Sequence, residues 1–177
     1  MTNLHILIAA PMTFASFTLR PAVPGDALSI IDAHRAAIRG TAAGFYDREV
    51  IEEWAPIGVS PERIEGFARA IASGEEIVIV AVDSSHQILG FGSIVPSNDE
   101  LRAVYVRSEH GRKGIGRAIL RRLEGLAREA GLKELRMDSS INAEAFYRAN
   151  GFSSEGSAEH TMSTGRRMAC VRMRKSL

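Results

Sequence analysis

The chain has 177 residues, of which 45% are hydrophobic and 24% charged, and its formal net charge is +1. These are ordinary proportions for one globular domain, and the length can bury a sizeable core without covalent staples. The single cysteine, Cys170, excludes an internal disulfide and fits a reducing compartment, so we expect a cytoplasmic protein.

The opening segment, MTNLHILIAAPM, carries a short apolar run that no Lys or Arg precedes. The run is too short to span a bilayer and lacks the features of a signal peptide, so we expect no membrane association. We interpret residues 1–15 as an N-terminal extension, flexible or strand-like. Residues 16–177 are expected to form one domain.

Hydrophobic periodicity and turn residues predict six strands and five helices in the rest of the chain. In chain order they are a strand at 17–23, helices from Asp26 to Gly40, Asp47 to Ala55 and Ser60 to Gly74, strands at 76–82, 87–95 and 100–106, a long helix from Ile115 to Gly131, a strand at 133–138, a short helix at 143–149 and a closing strand at 167–173. This order predicts a single mixed α/β domain.

Positive charge is concentrated in one part of the sequence. Residues 101–136 hold ten Lys/Arg against four Glu, a balance of +6, so the rest of the chain sums to −5. The basic block coincides with a glycine-rich loop, which favours an anionic ligand there, although a solvated helix face has the same composition. No motif of a nucleic-acid-binding module is present, so we expect no nucleic-acid partner.

The loop SEHGRKGIG, residues 108–116, lies between a predicted strand and the long helix. Glycine allows close approach to a ligand, and the free N–H groups of a helix N-terminus bind anions. A Walker A loop requires Lys-Ser/Thr after its last glycine, where Arg117 and Ala118 stand. A dinucleotide fingerprint requires a third glycine at Ile119. The open alternatives are a different phosphate ligand and a glycine-rich turn without one.

A second motif, NAEAFYRANGF at residues 142–152, follows the next predicted strand. With LRAVYV and GRKGIG before it, the chain resembles the GCN5-related N-acetyltransferase (GNAT) superfamily over about residues 16–175. The resemblance implies a central, mixed and mostly antiparallel sheet flanked by helices, with two strands that splay at the cofactor site. It implies acetyl-CoA as the co-substrate.

The resemblance also implies which residues hold the cofactor. Val104 and Val106 would offer backbone groups to the pantetheine arm. The pyrophosphate would lie against Arg112, Lys113, Gly114, Gly116 and Arg117. The family loop usually reads Gln/Arg-x-x-Gly-x-Gly, whereas Gly111 stands at the first position here and the arginine is Arg112. Asn142 would either cap the short helix or bind the pantetheine arm.

Tyr147 is the candidate general acid, because a phenol is protonated at neutral pH and can donate to the departing thiolate. Packing beside Phe146 is its alternative role. Glu100, with Asp99 beside it, is the candidate general base, and His34 is a further possibility. The five histidines show no ligand spacing, so no metal site is expected.

We therefore predict an enzyme that transfers an acetyl group from acetyl-CoA to a primary amine by direct attack in a ternary complex. The amine would belong to a small molecule or a peptide, and the acidic segment 24–72 is expected to contact it. The alternative is a catalytically idle module that binds acyl-CoA. Because members of the family are often dimers, the resemblance also implies a possible homodimer.

Overall fold

The computed structural model describes residues 11–14 and 16–177. The predicted extension at 1–15 therefore lies largely outside the described residues. Within it, Met12 and Thr13 form a two-residue strand that pairs with Leu19 and Thr18.

Eight strands and five α-helices make up the described fold. The strands are β1 Met12–Thr13, β2 Thr18–Pro21, β3 Ile77–Val82, β4 Ile88–Val95, β5 Glu100–Val106, β6 Glu134–Ser140, β7 Ser153–Thr161 and β8 Arg167–Ser176. The helices are α1 Ala27–Thr41, α2 Arg48–Trp54, α3 Pro61–Ser73, α4 Ile115–Glu129 and α5 Glu144–Ala149.

One sheet contains every strand, in the order β1-β2-β3-β4-β5-β6-β8-β7. All neighbours run antiparallel except β5 and β6, which are parallel. The connection between these two strands carries α4, as a parallel crossover requires. The predicted mixed, mostly antiparallel sheet is confirmed.

The two faces of the sheet are covered by different helices. The amphipathic face of α4 packs Ile119, Leu120 and Leu123 into the larger core cluster. On the opposite face, Ile30 and Ala33 of α1 pack against β3 and β4. Strand β4 is consequently buried along its whole length.

Most helix ends coincide with the residues that predict them. The Ser60 hydroxyl accepts a hydrogen bond from the Arg63 N–H at the start of α3. Gly74 ends α3 in the left-handed conformation, and Gly131 adopts the same conformation just beyond α4.

The end predicted at Gly40 is wrong, because α1 continues through this residue to Thr41. A Cβ atom built on Gly40 would lie 2.3 Å from Ser108 Oγ. Gly40 therefore lets the end of α1 approach the first residue of the glycine loop, and it does not terminate the helix.

Strand β7 was not predicted. Its nine residues, SSEGSAEHT, show no apolar alternation, and most are exposed. The strand forms because it pairs with β8 as the outermost strand of the sheet, where neither face is deeply buried. Within residues 11–14 and 16–177, no helix has the length and apolarity needed to cross a bilayer.

Candidate active site

The site begins where the parallel strands β5 and β6 separate. They share one paired position, Glu100 opposite Arg136, and the Arg136 N–H donates to the Asp99 carbonyl at 2.8 Å. Beyond this position β5 continues along β4, while β6 continues along β8. The two strands therefore splay and leave a wedge between them.

The backbone of β5 turns unpaired groups into this wedge. The Arg107 N–H donates to the Leu89 carbonyl on β4 at 2.9 Å. Hydrogen-bonded and non-hydrogen-bonded pairs alternate along an antiparallel ladder, so the backbone N–H and C=O groups of Tyr105 also point towards β4. Val104 and Val106 consequently direct their N–H and C=O groups towards the wedge, as expected of groups that could pair with an extended ligand.

The glycine loop closes one end of the wedge. Gly114 is the N-cap residue of α4 and adopts φ +81°, a conformation that favours glycine. The N–H groups of Ile115, Gly116 and Arg117 belong to the first turn of α4, where no intrahelical acceptor is available. This arrangement produces an anion-binding helix N-terminus with a partial positive charge.

The exchange of Gly111 and Arg112 has a structural consequence. Arg112 adopts φ 57°, in the left-handed region that glycine tolerates best, while Gly111 has an ordinary φ of −60°. The Arg112 side chain is exposed, as are those of Lys113 and Arg117. Arg112 therefore adds a cation beside the helix N-terminus, but from a different backbone conformation than an arginine at position 111 would have.

Two cavities meet at the wedge. The loop-side cavity has a volume of about 750 Å³ and is lined by β5, the glycine loop, the start of α4, the end of α1 and the segment 140–150. The hairpin-side cavity has a volume of about 790 Å³ and is lined by residues of β5, β6, β7 and β8 together with Trp54. The residues that line both are Trp54, Arg102, Tyr105, Met137, Asp138 and Ser140.

Asn142 brings an unsatisfied acceptor to the loop-side cavity. Its Nδ2 group donates to Thr41 Oγ1 at 3.4 Å, while its Oδ1 atom is buried and has no hydrogen-bond partner in the described structure. No side chain caps the 3-10 turn Ile141–Ala143 or the start of α5, so the capping role predicted for Asn142 is not seen. Such an orphaned acceptor costs about 1–3 kcal/mol, and a ligand N–H would remove that cost.

Tyr147 lies beneath the same cavity with 3% of its surface exposed. Its ring packs edge-to-face on Phe146 and Phe152, with centroids 5.0 Å and 5.5 Å away. Burial raises the pKa of Tyr147 above its ordinary value, which keeps the phenol protonated at neutral pH. Packing in the core and retention of a transferable proton are thus compatible here.

The base candidates lie elsewhere. Glu100 lines the hairpin-side cavity, and its two carboxylate oxygens accept from Arg102 Nε and Nη2 at 3.2 Å and 2.9 Å. His34 packs edge-to-face on Tyr105 at 4.5 Å and lines a separate cavity of about 180 Å³. Burial, with a smaller contribution from Arg63, lowers the pKa of His34 to about 4. His34 lines neither of the two cavities at the wedge.

Several residues of this region were not predicted from the sequence. Tyr46 bridges distant segments, because its hydroxyl accepts from the Ile141 N–H at 2.7 Å and donates to the Ala169 carbonyl at 2.8 Å. Trp54 and Tyr105 line both cavities. Of the acidic segment 24–72, Trp54 is the residue that reaches the hairpin-side cavity. No spacing in the sequence links these positions, because the fold alone brings them together.

A comparison with protein families matches residues 42–177 to the acetyltransferase (GNAT) domain. The chain belongs to the GNAT acetyltransferase family. The resemblance found in the sequence and the GNAT fold are both confirmed. No curated protein matches the chain in sequence.

Solved structures of GNAT proteins share this fold. A GCN5-related N-acetyltransferase from Rhodopseudomonas palustris is 26% identical, with a TM-score of 0.80 over 94% of this chain and 99% of that one. The PaiA N-acetyltransferase from Thermoplasma acidophilum, in complex with coenzyme A, is 23% identical, with a TM-score of 0.72 over 92% and 99% of the two chains. A phosphinothricin acetyltransferase from Sinorhizobium meliloti, in complex with acetyl-CoA, is 24% identical, with a TM-score of 0.67 over 92% and 89%.

Within the described ranges of this GNAT chain, no group of three or more His, Cys, Asp or Glu side chains could hold a metal ion. The groups that line the wedge are backbone amides, a buried phenol, carboxylates and guanidinium groups. These are groups that bind an anionic ligand, hold an amine and transfer protons.

Proposed function

We propose that this protein is an N-acetyltransferase that moves the acetyl group of acetyl-CoA to a primary amine by direct attack in a ternary complex. The observation that carries the proposal is the meeting of two cavities at the β5–β6 wedge, one of them closed by an anion-binding loop. Two substrates can thus approach the same point from different sides. The structures of related proteins in complex with coenzyme A and acetyl-CoA support acetyl-CoA as the co-substrate.

In this proposal the loop-side cavity holds acetyl-CoA. The first-turn N–H groups of α4, with the cations of Arg112, Lys113 and Arg117, hold the pyrophosphate. Val104 and Val106 pair with the pantetheine amides as a strand would. The orphaned Oδ1 of Asn142 accepts from a pantetheine N–H, which satisfies the buried acceptor.

The acyl transfer itself needs two protons removed from the nitrogen of an ammonium group and one supplied to the sulfur. The nitrogen loses the first proton to a base, its lone pair attacks the thioester carbonyl carbon, and a C–N bond forms as the C–S bond breaks. Tyr147 donates its phenolic proton to the sulfur that leaves as a thiolate, and the second proton of the nitrogen restores the phenol through water. The main contribution of the fold is to position the two substrates.

The two proposed residues differ in how the structure places them. Tyr147 lines the cavity proposed for acetyl-CoA, which suits an acid that acts on the thiolate. Glu100 lies on the opposite side, where the amine would enter, but Arg102 neutralises it in a bidentate ion pair. Glu100 remains a candidate base on this side of the wedge.

The test is a screen of primary amines with acetyl-CoA, in which free CoA is detected through its thiol. The probes are an alanyl dipeptide, free lysine, benzylamine and spermidine, and the acetylated product is identified by mass spectrometry. CoA release that depends on one of these amines supports the proposal. Tight acetyl-CoA binding without release for any of a broad set of amines would replace it with an idle module that binds acyl-CoA.

A further inference from the structure

We infer that Asp138 receives the ammonium group of the acceptor and takes the proton that the amine must lose before it attacks. The inference rests on the proposed function, since it concerns the acceptor side of the same reaction. It assigns to a residue of β6 the role for which Glu100 of β5 is the candidate from the sequence.

The position of Asp138 is the first argument. Six described residues line both cavities, and among them Asp138 is the one carboxylate. Glu100 and Glu155 line the hairpin-side cavity without reaching the loop side. An amine held by Asp138 therefore stands where the two cavities meet, which is where the reacting atoms of the two substrates have to come together.

The direction of the side chain agrees with this position. Along β6, Leu135, Met137 and Ser139 are buried, while Arg136 and Asp138 are exposed. Because side chains alternate along a strand, Asp138 faces away from the α4 side, on which Leu135 and Met137 pack. Its side chain is 39% exposed, so an acceptor can reach it from the hairpin-side cavity.

The available bonding capacity is the third argument. Asp138 stands opposite Arg172 on β8, and Arg172 Nε lies 3.4 Å from one carboxylate oxygen. This single long contact between partly exposed groups is weak and easily exchanged for a ligand. Glu100 is held by Arg102 through both oxygens, and Glu155 is paired with Arg174 at 3.1 Å. Of the three carboxylates that line the hairpin-side cavity, Asp138 is the least engaged.

The proton balance is simple. An N–H bond of the ammonium breaks, and the proton passes to the Asp138 carboxylate directly or through one water molecule. The freed lone pair forms the C–N bond as the C–S bond breaks, and the Tyr147 proton goes to the thiolate sulfur. The nitrogen then carries one proton more than the amide product, and this proton passes through water to the Tyr147 phenolate and restores the phenol. Asp138 later releases its proton to solvent through the open hairpin-side cavity.

Several other charged or titratable groups line the same cavity as Asp138 or lie on the strands beside it. They are Glu100, Arg102 and Tyr105 on β5, Arg136 on β6, Glu155 and His160 on β7, and Cys170 and Arg172 on β8. All of them are retained in an Asp138→Asn variant. The ratio of variant to wild-type rates at each pH therefore reports on the Asp138 carboxylate, which is the only ionisable group that the variant removes.

The experiment compares Asp138→Asn with wild type, using acetyl-CoA and the most active amine of the screen. At about pH 7 we expect kcat/KM for the amine to fall roughly 100-fold, the size of a lost general base. At about pH 9.5 we expect the deficit to shrink below about tenfold, because much of the amine is then already deprotonated. Acetyl-CoA affinity, measured by calorimetry, should stay within about twofold.

Two further variants make the result specific. Glu159→Gln removes a carboxylate of β7 that lines neither cavity and is paired with Arg167 on β8, and it should retain activity at both pH values. Glu100→Gln tests the rival base. A deficit that disappears at high pH in Glu100→Gln but not in Asp138→Asn would overturn the inference.

A deficit in Asp138→Asn that is equal at all pH values would also overturn the inference, since a structural role would produce it. Failure of the proposed function is distinguished by the wild type, which would then release no CoA with any amine and would remove the inference along with it. Failure of the inference alone leaves wild-type activity intact.

Discussion

Individual side chains at the wedge combine packing with chemistry. Tyr147 belongs to the buried core and also lines the loop-side cavity. Asn142 is held through its Nδ2 group while its Oδ1 atom stays unpaired. In both cases the fold fixes the body of the residue and leaves one polar atom for a ligand. A substitution that removes only the polar atom therefore tests its interaction with a ligand while the packing of the side chain is kept.

Replacement of Tyr147 by Phe removes one oxygen and keeps the aromatic packing on Phe146 and Phe152. We expect kcat to fall about ten- to a thousandfold, because the thiolate loses its proton donor. Affinity for acetyl-CoA should change little. Steady-state kinetics and calorimetry test this, and an unchanged kcat would remove Tyr147 from the mechanism.

Replacement of Gly114 by Ala places a Cβ atom on a residue with φ +81°. We expect the free energy of unfolding to fall by about 1–2 kcal/mol and acetyl-CoA affinity to fall with it, because the loop must shift. Gly25→Ala is the control, since a Cβ there meets no atom within 4 Å and its φ is not in the left-handed region. Denaturant unfolding and calorimetry should separate the two variants, and equal behaviour would contradict the argument.

At the scale of elements, the wedge depends on how closely neighbouring elements pack. Strand β4 lies under α4 and beside β5, and it carries glycine at positions 90 and 92. A Cβ on Gly92 would lie 2.7 Å from the Ala103 carbonyl oxygen and 2.7 Å from Ile119 Cγ2. The glycine therefore allows α4 to pack closely on β4. The position of the α4 N-terminus relative to the wedge depends on this packing.

Replacement of Gly92 by Ala should consequently cost about 2 kcal/mol or more of the free energy of unfolding, as overpacking of a core does. The comparison is Gly125→Ala, an interior position of α4 where a Cβ meets nothing within 4 Å. That variant should gain up to about 1 kcal/mol from helix propensity. Urea unfolding measures both, and a neutral Gly92→Ala would show that β4 and α4 can separate without loss.

At the scale of the whole molecule, α1 and α2 close over the sheet through an aromatic cluster. The rings of His34, Trp54 and Phe91 all pack on Tyr105. Tyr46 ties the loop before α2 to β8 and to the segment after β6. The cluster has one titratable imidazole, His34, in an environment that disfavours its charged form. The stability of the whole domain is therefore coupled to pH through this residue.

The pKa of His34 is about 4 in the folded chain and about 6.5 for an unperturbed histidine. As pH falls through this interval, the unfolded chain binds the proton first, so the free energy of unfolding decreases. The free energy of unfolding is highest above about pH 6.5, where His34 is neutral in both states, and it decreases by about 3 kcal/mol by pH 4. His34→Phe should remove this dependence, as urea unfolding at pH 7, 5.5 and 4 would show. Equal losses in variant and wild type would contradict it.

Much of the local structure and both family motifs could be predicted from the amino-acid sequence. Ser60, Gly74 and Gly131 mark helix ends through backbone chemistry that needs no tertiary partner. The loop at 108–116 and the motif at 142–152 indicated the GNAT family, because both motifs are continuous segments. The role of Gly40 and the strand β7 could not be derived in this way. Gly40 depends on its contact with Ser108, and β7 exists because β8 offers an edge to pair with.

The residues on the hairpin side of the wedge come together only in the folded chain. Trp54, Tyr105 and Asp138 come from three separate elements and share no motif. They meet because parallel β5 and β6 are paired at a single position and then part. A pattern along the chain records which backbone conformation each segment favours. It does not record where two strands stop pairing, and that divergence creates the wedge in which the proposed chemistry takes place.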